Sequence, residues 1–240
     1  MRFKAKADEI MKTLDPIIGV AGKDAEVTFN LNSEVIEVSI TNESACAMCR
    51  MAVDVSEGMA SGDLEDCMIT DESVTLNIDS LVGALKMFAG QKVEVCTSGK
   101  DVIIESDLGR RTMRMLEDAK TSRQVKFSAA IEITADPNDL KKLAGFDGIS
   151  ESIYFDIHGG RLRIGCASET ETAEIFIETA VYRDHRSFYP SDIISTIVRR
   201  IHAEQDGVKI CLSEDAPLCM TFDYGCTSYW IFIAPRIESV

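Results

Sequence analysis

The residues of this chain with the most versatile chemistry are its eight cysteines and three histidines. Cys46 and Cys49 form a C-x-x-C pair, a spacing that binds zinc when a second ligand pair lies at a suitable distance. The sequence offers no such second pair, and the histidines at 158, 185 and 202 fall in separate predicted elements. Because no secretory signal is visible, we expect reduced cysteines, most of them in the core. We therefore predict no metal site and no cofactor.

Motifs of catalysis are also missing from the sequence. It contains no G-x-x-x-x-G-K-S/T loop, no G-x-G-x-x-G after a strand and no H-E-x-x-H. His202 and Glu204 have the H-x-E form of zinc deaminases, but the P-C-x-x-C that completes that motif does not follow. An enzyme is therefore the less favoured class, and we expect no catalytic residue.

Basic residues are expected in the interiors of the segments with helical periodicity, although the formal net charge of the chain is −15. An acidic chain is a poor general binder of nucleic acid, because phosphate neutralisation requires positive side chains. A local basic surface is still compatible with that charge. The candidates for this surface are Lys12, Lys86, Lys141, Lys142, Arg199, Arg200 and His202. The absence of interleaved aromatic residues favours loose contacts with a duplex backbone over stacking on single-stranded bases.

Alternation of apolar and polar residues predicts antiparallel strands along most of the chain. Four hairpins are expected, joining 27–31 to 36–40, 93–96 to 102–105, 153–157 to 161–166 and 208–212 to 218–223. Four segments have helical periodicity instead: 7–20, 79–90, 136–146 and 190–204. Asp79-Ser80 and Asp136-Pro137 supply the N-terminal caps of the second and third helices. We expect Pro16 to end or kink the first helix, since an internal proline costs about 3 kcal/mol or more.

The order strand, helix, strands, helix, strands occurs twice, which indicates two similar domains built on one plan. Residues 27–31 align with 153–157, and residues 34–40 align with 160–166 in the same register. A polar stretch between the halves lacks apolar periodicity and is typical of a linker. We therefore predict an α+β fold of two similar β-rich domains with two helices each. The predicted parts are an N-terminal domain at 1–116, a linker at 117–126 and a C-terminal domain at 127–240.

Four segments resemble DNA sliding clamps of the proliferating cell nuclear antigen type. The most specific is the C-terminal run Phe232-Ile233-Ala234-Pro235-Arg236-Ile237-Glu238, which is similar to the closing segment of that family. The others are Asp215-Ala216-Pro217-Leu218, Arg111-Thr112-Met113-Arg114 and Leu76-Asn77-Ile78-Asp79-Ser80-Leu81. The order of elements extends the resemblance over nearly the whole chain. Its length and ending are closer to archaeal members than to eukaryotic ones.

The resemblance implies a protein that works without chemistry of its own. Clamps of this type are six-domain rings of three two-domain subunits, which encircle duplex DNA and act as processivity factors in replication and repair. Their helices line the hole, where the seven basic residues named above would contact DNA. Edge strands of neighbouring subunits would pair at about 110–116 and 172–178.

The resemblance also implies a pocket beneath the linker for a short apolar and aromatic peptide motif. DNA polymerase, the clamp loader, a flap endonuclease and DNA ligase are the partners expected to carry that motif. The matching positions are Ala45, Cys46, Leu116, Pro217, Phe232, Ile233, Ala234 and Pro235. The linker is short and polar compared with that of the family, so we expect partner binding to be altered or weaker.

An alternative is a specialised clamp paralogue, or one subunit of a heteromeric ring that acts as a repair scaffold. The short linker and a first helix with Lys12 as its one base favour this alternative, and the assembly state of the pure chain would distinguish the two. No apolar run is long enough to span a bilayer. We expect no membrane partner and an intracellular location, in the cytoplasm with the nucleoid in an archaeon or in the nucleus in a eukaryote.

Overall fold

The computed structural model describes residues 1–22, 24–117, 127–203 and 207–236. The chain divides into two compact units. The first consists of Met1–Glu43, Cys49–Arg123 and Asp223–Tyr229, and the second of Ser44–Met48, Gln124–Phe222 and Trp230–Val240. Most of the predicted linker, 118–126, lies outside the described residues.

The first half of the chain folds mainly as antiparallel strands. In order its elements are β1 (Arg2–Lys6), α1 (Ala7–Ala21), β2 (Glu26–Leu31), β3 (Val35–Thr41), β4 (Ala47–Asp54), α2 (Val55–Ser61), β5 (Glu65–Met68), β6 (Glu72–Asn77), α3 (Ile78–Lys86), β7 (Lys92–Ser98), β8 (Asp101–Ser106) and β9 (Gly109–Arg114). Strands β4, β3, β2 and β6 lie side by side, and another sheet has the order β5-β1-β7-β8-β9.

The second half repeats this plan. In order its elements are β10 (Ile131–Ala135), α4 (Pro137–Lys141), a 3-10 helix (Lys142–Gly145), β11 (Ser152–His158), β12 (Arg161–Ala167), β13 (Thr172–Glu178), β14 (His185–Pro190), α5 (Ser191–Val198), β15 (Val208–Leu212), β16 (Leu218–Tyr224) and β17 (Thr227–Ile233). One sheet has the order β13-β12-β11-β14, equivalent to β4-β3-β2-β6, while β10, β15, β16 and β17 lie side by side. The four predicted hairpins and the α+β fold are confirmed.

Each sheet buries one face against helices. In β11 the side chains of Ile153, Phe155 and Ile157 are buried, because alternate residues of a strand point to the same side. Ile194 and Ile197 of α5 are fully buried as well. Burying such a side chain contributes roughly 1.5–3 kcal/mol relative to leaving it exposed. No helix among the described residues is long and apolar enough to cross a lipid bilayer.

Helix α1 continues through Pro16 to Ala21, so the expected early end is wrong. Leu14 and Ile17, on either side of the proline, are 2% and 0% exposed. Tertiary packing of this apolar face sustains the helix where intrinsic propensity would end it. The Tyr229 hydroxyl also donates a 2.8 Å hydrogen bond to the Thr13 carbonyl, one turn before the proline.

The later helices are shorter than their periodicity predicts. The cap of α3 is Asn77, whose side chain accepts from the Ser80 N–H at 2.9 Å, so Asp79 is not the cap. Helix α5 ends at Val198, because the Arg200 N–H donates to Ile197 O across three residues and tightens the last turn. Predicted helix 136–146 divides into α4, capped by Asp136 as expected, and the 3-10 helix.

Helix α2 was not predicted, so the described part of the first half has three helices and the expectation of two is wrong there. Asp54 caps it by accepting from the Glu57 N–H at 2.8 Å. The helix has seven residues and buries Val55 and Gly58, too few for a helical period to show in the sequence.

Gly165 gives Tyr154 room to lie across β12. The two residues are directly opposite on β12 and β11, and the Tyr154 hydroxyl donates to Glu174 of β13 beyond. A Cβ added at Gly165 would stand 2.6 Å from the Tyr154 hydroxyl oxygen and 2.8 Å from Ala173 O. Any side chain at this position would displace the tyrosine or the strand.

We expect Gly165→Ala to lower the free energy of unfolding by about 2 kcal/mol, the usual scale of overpacking. Gly83→Ala in α3 is the matched control, since nothing lies within 4 Å of its added Cβ. This control should stabilise the protein by about 0.5–1 kcal/mol, because alanine favours helix over glycine. Urea unfolding measures both changes, and a Gly165→Ala protein as stable as the parent would contradict the packing described.

Two tyrosines attach the β16–β17 turn to α1 within the first unit. Besides the bond from Tyr229, the Tyr224 hydroxyl donates to Glu9 at 2.7 Å. This bond, together with one from Lys12 at 2.9 Å, lowers the pKa of Glu9. Since the pKa is depressed in the folded state, the stabilisation is present above the unfolded pKa of about 4.3 and is lost as the pH falls through the folded value.

Tyr224→Phe should therefore lower the free energy of unfolding by about 1 kcal/mol at pH 7. The difference from the parent should shrink as the pH falls through the lowered pKa of Glu9, where the carboxylate gains its proton. Urea titrations between pH 7 and pH 3 measure it. Tyr182→Phe is the control, because Tyr182 is 77% exposed and should show no effect at either pH. A Tyr224→Phe difference that is independent of pH would rule out the bond to the Glu9 carboxylate as its source.

Candidate nucleic-acid interface and assembly edges

Four of the predicted basic residues gather in the second unit, where α4, the 3-10 helix and α5 pack together. Lys141 ends α4 and Lys142 begins the 3-10 helix, while Arg199 and Arg200 follow the last residue of α5. Helix C-termini carry partial negative charge from unpaired carbonyls, which favours cations there. We call these four residues the basic cluster.

Polar contacts between the helices hold the basic cluster together. The buried Ser195 hydroxyl donates to Leu143 O at 3.0 Å, and the Arg199 guanidinium donates to Ala144 O. Lys142 pairs with Asp139 at 2.7 Å, but its side chain remains 63% exposed. An exposed pair of this kind contributes about 0–1 kcal/mol, so the lysine can exchange its aspartate for a phosphate at little cost.

The position of the bases within their helices differs from the prediction. They were expected in helix interiors, whereas Lys86 and Lys141 are the last residues of α3 and α4, and His202 lies four residues beyond α5. The helices end earlier than the sequence period suggests, so that expectation is wrong for these residues. Glu204, the acid of the H-x-E pattern, lies outside the described residues.

The first unit contains fewer of the predicted basic residues than the second. Lys12 lies on α1, which packs against α3 with Lys86 at its end. Glu9 accepts from Lys12 and raises the pKa of that lysine, so its charge is partly offset within the same helix. Lys86 is exposed.

Most of the predicted pocket positions belong to the second unit. The Ala234 N–H donates to Cys46 O at 2.7 Å, which joins the end of β17 to the segment that contains Ala45. Phe232, Ala234 and Pro217 are half-buried, Ala45 and Pro235 are exposed, and Ile233 is fully buried. Leu116 belongs to the first unit, where it is 38% exposed and its N–H donates to Thr75 O at 2.9 Å.

The segments predicted to pair between subunits form strands that end their sheets within the described residues. Strand β9 ends the order β5-β1-β7-β8-β9, and β13 begins the order β13-β12-β11-β14. Their bounds, 109–114 and 172–178, coincide closely with the segments predicted to pair between subunits. An edge strand offers a row of backbone N–H and C=O groups to another strand.

The outward faces of these edges have opposite charge. On β9 Met113 is buried, so Arg110, Thr112 and Arg114 point away from the core. On β13 Ile177 is buried, so the residues that point away are Glu174, Phe176 and Glu178. Sequence reasoning named both segments and missed the charge pattern, although arginines four residues apart in one strand and glutamates four residues apart in the other were visible.

The carboxylates on β13 are positioned by their own chain. Arg161 pairs with Glu178 at 2.7 Å, and Tyr154 and Arg163 both contact Glu174. Burial and the hydrogen bond to Glu174 raise the pKa of Tyr154 to about 12, so its hydroxyl stays protonated and donates. No group of three His, Cys, Asp or Glu residues in the described ranges is placed to bind a metal ion.

Solved structures of sliding clamps share this fold over the whole chain. The A. fulgidus PCNA in a structure described as the C-terminal region of FEN-1 bound to it is 16% identical, with a TM-score of 0.84, and the match covers 100% of this chain and 99% of that one. PCNA from Entamoeba histolytica is 14% identical, with a TM-score of 0.83 and 98% of each chain covered.

A third likeness is to a chain of the PCNA2–PCNA3 complex from Sulfolobus tokodaii, which is 18% identical with a TM-score of 0.78, over 99% of this chain and 100% of that one. No protein-family model and no curated protein sequence matches the chain. The repeated halves, the sheet orders and these full-length matches agree. The chain has the fold of the DNA sliding clamps of the proliferating cell nuclear antigen type.

Proposed function

We propose that this protein is a DNA sliding clamp: a ring-forming subunit that encircles duplex DNA and tethers enzymes of replication and repair. The observation that carries the proposal is the pair of open edges, β9 and β13, with opposite charges on their outward faces. A fold with two such edges can assemble head to tail, and such an assembly closes into a ring when its rotation closes. The clamp itself supplies no catalysis.

One register of the proposed edge pairing satisfies every outward charge. An antiparallel pair with Thr112 of one subunit opposite Phe176 of the next also places Arg110 opposite Glu178 and Arg114 opposite Glu174. Shifting the register by two residues in either direction removes both arginine–glutamate pairs. Opposite charges on facing residues of a sheet stabilise it, whereas like charges destabilise it, so the charges select this register.

The same complementarity favours a ring made of one kind of chain. Both halves of the interface are present in this sequence, so a second copy satisfies each edge without a different subunit. Three copies of a two-unit chain make the six-domain ring of a homotrimer. The alternative, one subunit of a heteromeric ring, needs edges that do not pair with a second copy of the same chain.

Reversing one interface charge should weaken self-association. We expect Arg110→Glu to lower the association constant at each interface about tenfold or more, since it sets two carboxylates against each other. The exchange variant, Arg110→Glu with Glu178→Arg, should recover most of the loss. Light scattering over a range of concentrations measures the assembly state of each protein.

Arg2→Glu is the matched control for this experiment, because Arg2 is 56% exposed and ion-paired to Glu94, as Arg110 is 57% exposed beside Glu105. It should assemble like the parent. An exchange variant that associates as weakly as Arg110→Glu would exclude the proposed register. A parent chain that remains monomeric until another clamp subunit is added would support the heteromeric alternative.

In the proposed ring the basic cluster and the predicted basic residues of the first unit line the hole. Lys12, Lys86 and His202 belong to this lining together with Lys141, Lys142, Arg199 and Arg200. The net charge of −15 then lies mainly on other surfaces, where it repels DNA. Contacts with the phosphate backbone need no sequence readout, because ring closure supplies retention.

Charge reversal in the basic cluster tests the function directly. The protein is loaded onto nicked circular DNA with a cognate clamp loader, and the DNA-bound fraction is separated by gel filtration. The parent should stay on circular DNA and leave when the DNA is linearised. A variant with Lys141, Lys142, Arg199 and Arg200 changed to glutamate should show loading or retention reduced about tenfold at 0.15 M salt, with its trimer intact.

The control for this variant reverses four cations on the strands and turns of the first unit: Arg2, Lys4, Lys92 and Lys100. It makes the same change in net charge and should be retained like the parent. Equal loss in both variants would mean that net charge, and not the basic cluster, governs retention. A parent that leaves circular and linear DNA equally fast would exclude encirclement.

Partners would bind on the outside of the ring. The hydrogen bond from Ala234 to Cys46, with half-buried Phe232 and exposed Pro235 beside it, supports a peptide site at the end of β17. The A. fulgidus PCNA, which has the same fold, is described as bound to the C-terminal region of FEN-1. DNA polymerase, the clamp loader, a flap endonuclease and ligase are the partners we infer, wherever the cell keeps its DNA, in a nucleoid or a nucleus.

A further inference from the structure

Two cysteines of the second unit stand directly opposite each other on neighbouring strands. Cys211 of β15 faces Cys219 of β16 in the antiparallel register that also sets Ile210 against Met220. Both thiols are free, and the residues are 7% and 2% exposed. The buried Cys166 of β12, by contrast, lies opposite an alanine, Ala173, in its strand register.

The strand geometry brings this pair within the range of a disulfide. Directly opposed residues of an antiparallel pair have Cα atoms about 4.5–5.5 Å apart. Disulfides span Cα separations of about 4.4–6.8 Å, so the bond requires no shift of either strand. The side chains also point to the same face, because opposed residues of a sheet always do.

The two thiols already interact. The hydrogen bond with Cys219 lowers the pKa of Cys211, while the same bond and burial raise that of Cys219. Burial and Glu132, which lies opposite Cys211 on β10, oppose this lowering, and Lys209, two residues before Cys211 on the same face of β15, adds to it. Because the thiolate is the nucleophile in thiol–disulfide exchange, Cys211 is the sulfur that attacks first.

Cys219 lies on the strand next to β17, close to the C-terminal end of β17. A two-residue turn at 225–226 joins β16 to β17, which places Tyr224 opposite Thr227 and, counting outward, Cys219 opposite Phe232. The hydrogen bond from Ser228 to Asp223 fits that register. Phe127 packs edge-on against Phe232, with ring centroids 5.9 Å apart, and these rings lie on the face that carries the two sulfurs.

We propose that Cys211 and Cys219 are a reversible modification site, which forms a cross-strand disulfide when the protein meets an oxidising disulfide such as oxidised glutathione. The Cys211 thiolate attacks one glutathione sulfur, releases the other as glutathione thiolate and forms a mixed disulfide. Cys219 gives up its proton and attacks the Cys211 sulfur, which expels the second glutathione. The two cysteines lose two electrons and two protons in all, and one oxidised glutathione becomes two reduced molecules.

The bond would restrain the connection from β15 to β16, which contains Pro217. The loop between the two cysteines has seven residues, 212–218. Its closure reduces the freedom of the unfolded chain, so the oxidised protein should melt about 5 °C higher than the reduced one. The proposal does not depend on the clamp function, since it concerns the strands of one unit and an added oxidant.

Mass spectrometry of the full-length protein tests the site. The parent is equilibrated with oxidised and reduced glutathione at several ratios, alkylated under denaturing conditions and digested. We expect eight alkylated cysteines in the reduced protein and six in the oxidised one, since two of the eight are joined. The linked peptides should contain Cys211 and Cys219, and dithiothreitol should restore eight.

Variants separate this pair from the other cysteines. Cys211→Ala and Cys219→Ala should each abolish the two-cysteine loss and the rise in Tm, whereas Cys166→Ala should keep both. Identification of the disulfide-linked peptides in the parent protein tests the proposal even when a variant of these buried cysteines folds poorly. The proposal fails when all eight thiols stay alkylatable at every ratio, when the linked peptides contain other cysteines, or when glutathione remains attached to Cys211.

Discussion

The hydrogen-bonding groups of the edge strands are the constraint on which the rest of the structure depends. Backbone N–H and C=O groups need hydrogen-bond partners, and a strand in a sheet finds all of them only when it has a neighbouring strand on each side. The chain repeats one plan twice, with sheet orders β4-β3-β2-β6 and β13-β12-β11-β14. Strands β9 and β13 are among the strands that end a sheet within the described residues, and a long open edge is a hazard for aggregation. Pairing the edges of successive subunits would remove that hazard and build the assembly at the same time.

The placement of charged residues also meets two requirements at once. The chain is strongly acidic, yet the four residues of the basic cluster lie at the C-terminal ends of α4 and α5, where the helix carbonyls favour them. Asp136 and Asp54 take the opposite helix ends as caps. Local helix electrostatics and a proposed function on DNA therefore require the same distribution of charge, and neither has to be met at the expense of the other.

The sequence predicted the strands better than the helices. Hairpins such as β11–β12 were predictable because alternation has a period of two and glycine marks the turn. Helix ends were not, because Arg200 closes α5 through a three-residue bond that leaves no mark in the apolar pattern. The end expected at Pro16 did not occur, since the packing of Leu14 and Ile17 outweighs the missing N–H, and that packing is a property of the folded unit.

Candidate site residues were predictable to different degrees. The four bases of the cluster could be chosen from sequence because they occur as adjacent pairs, Lys141-Lys142 and Arg199-Arg200. The pair of Lys12 with Glu9 follows from helical spacing, but the contact of Glu9 with Tyr224 could not be predicted, because the two residues are 215 positions apart in the chain. The pairing of Cys211 with Cys219 likewise needs a strand register, which eight scattered cysteines do not specify.

The glycine beneath Tyr154 has a consequence for assembly. Tyr154 lies flat over Gly165 and holds the Glu174 carboxylate by its hydroxyl, so that carboxylate is confined before any neighbour arrives. A long acidic side chain ordinarily loses about 1.5–2 kcal/mol of rotamer entropy when it is fixed. In the proposed ring this loss has already occurred during folding of the single chain. A residue without a side chain thus makes the joining of two subunits entropically easier, although it lies one strand inside the edge that would form their interface.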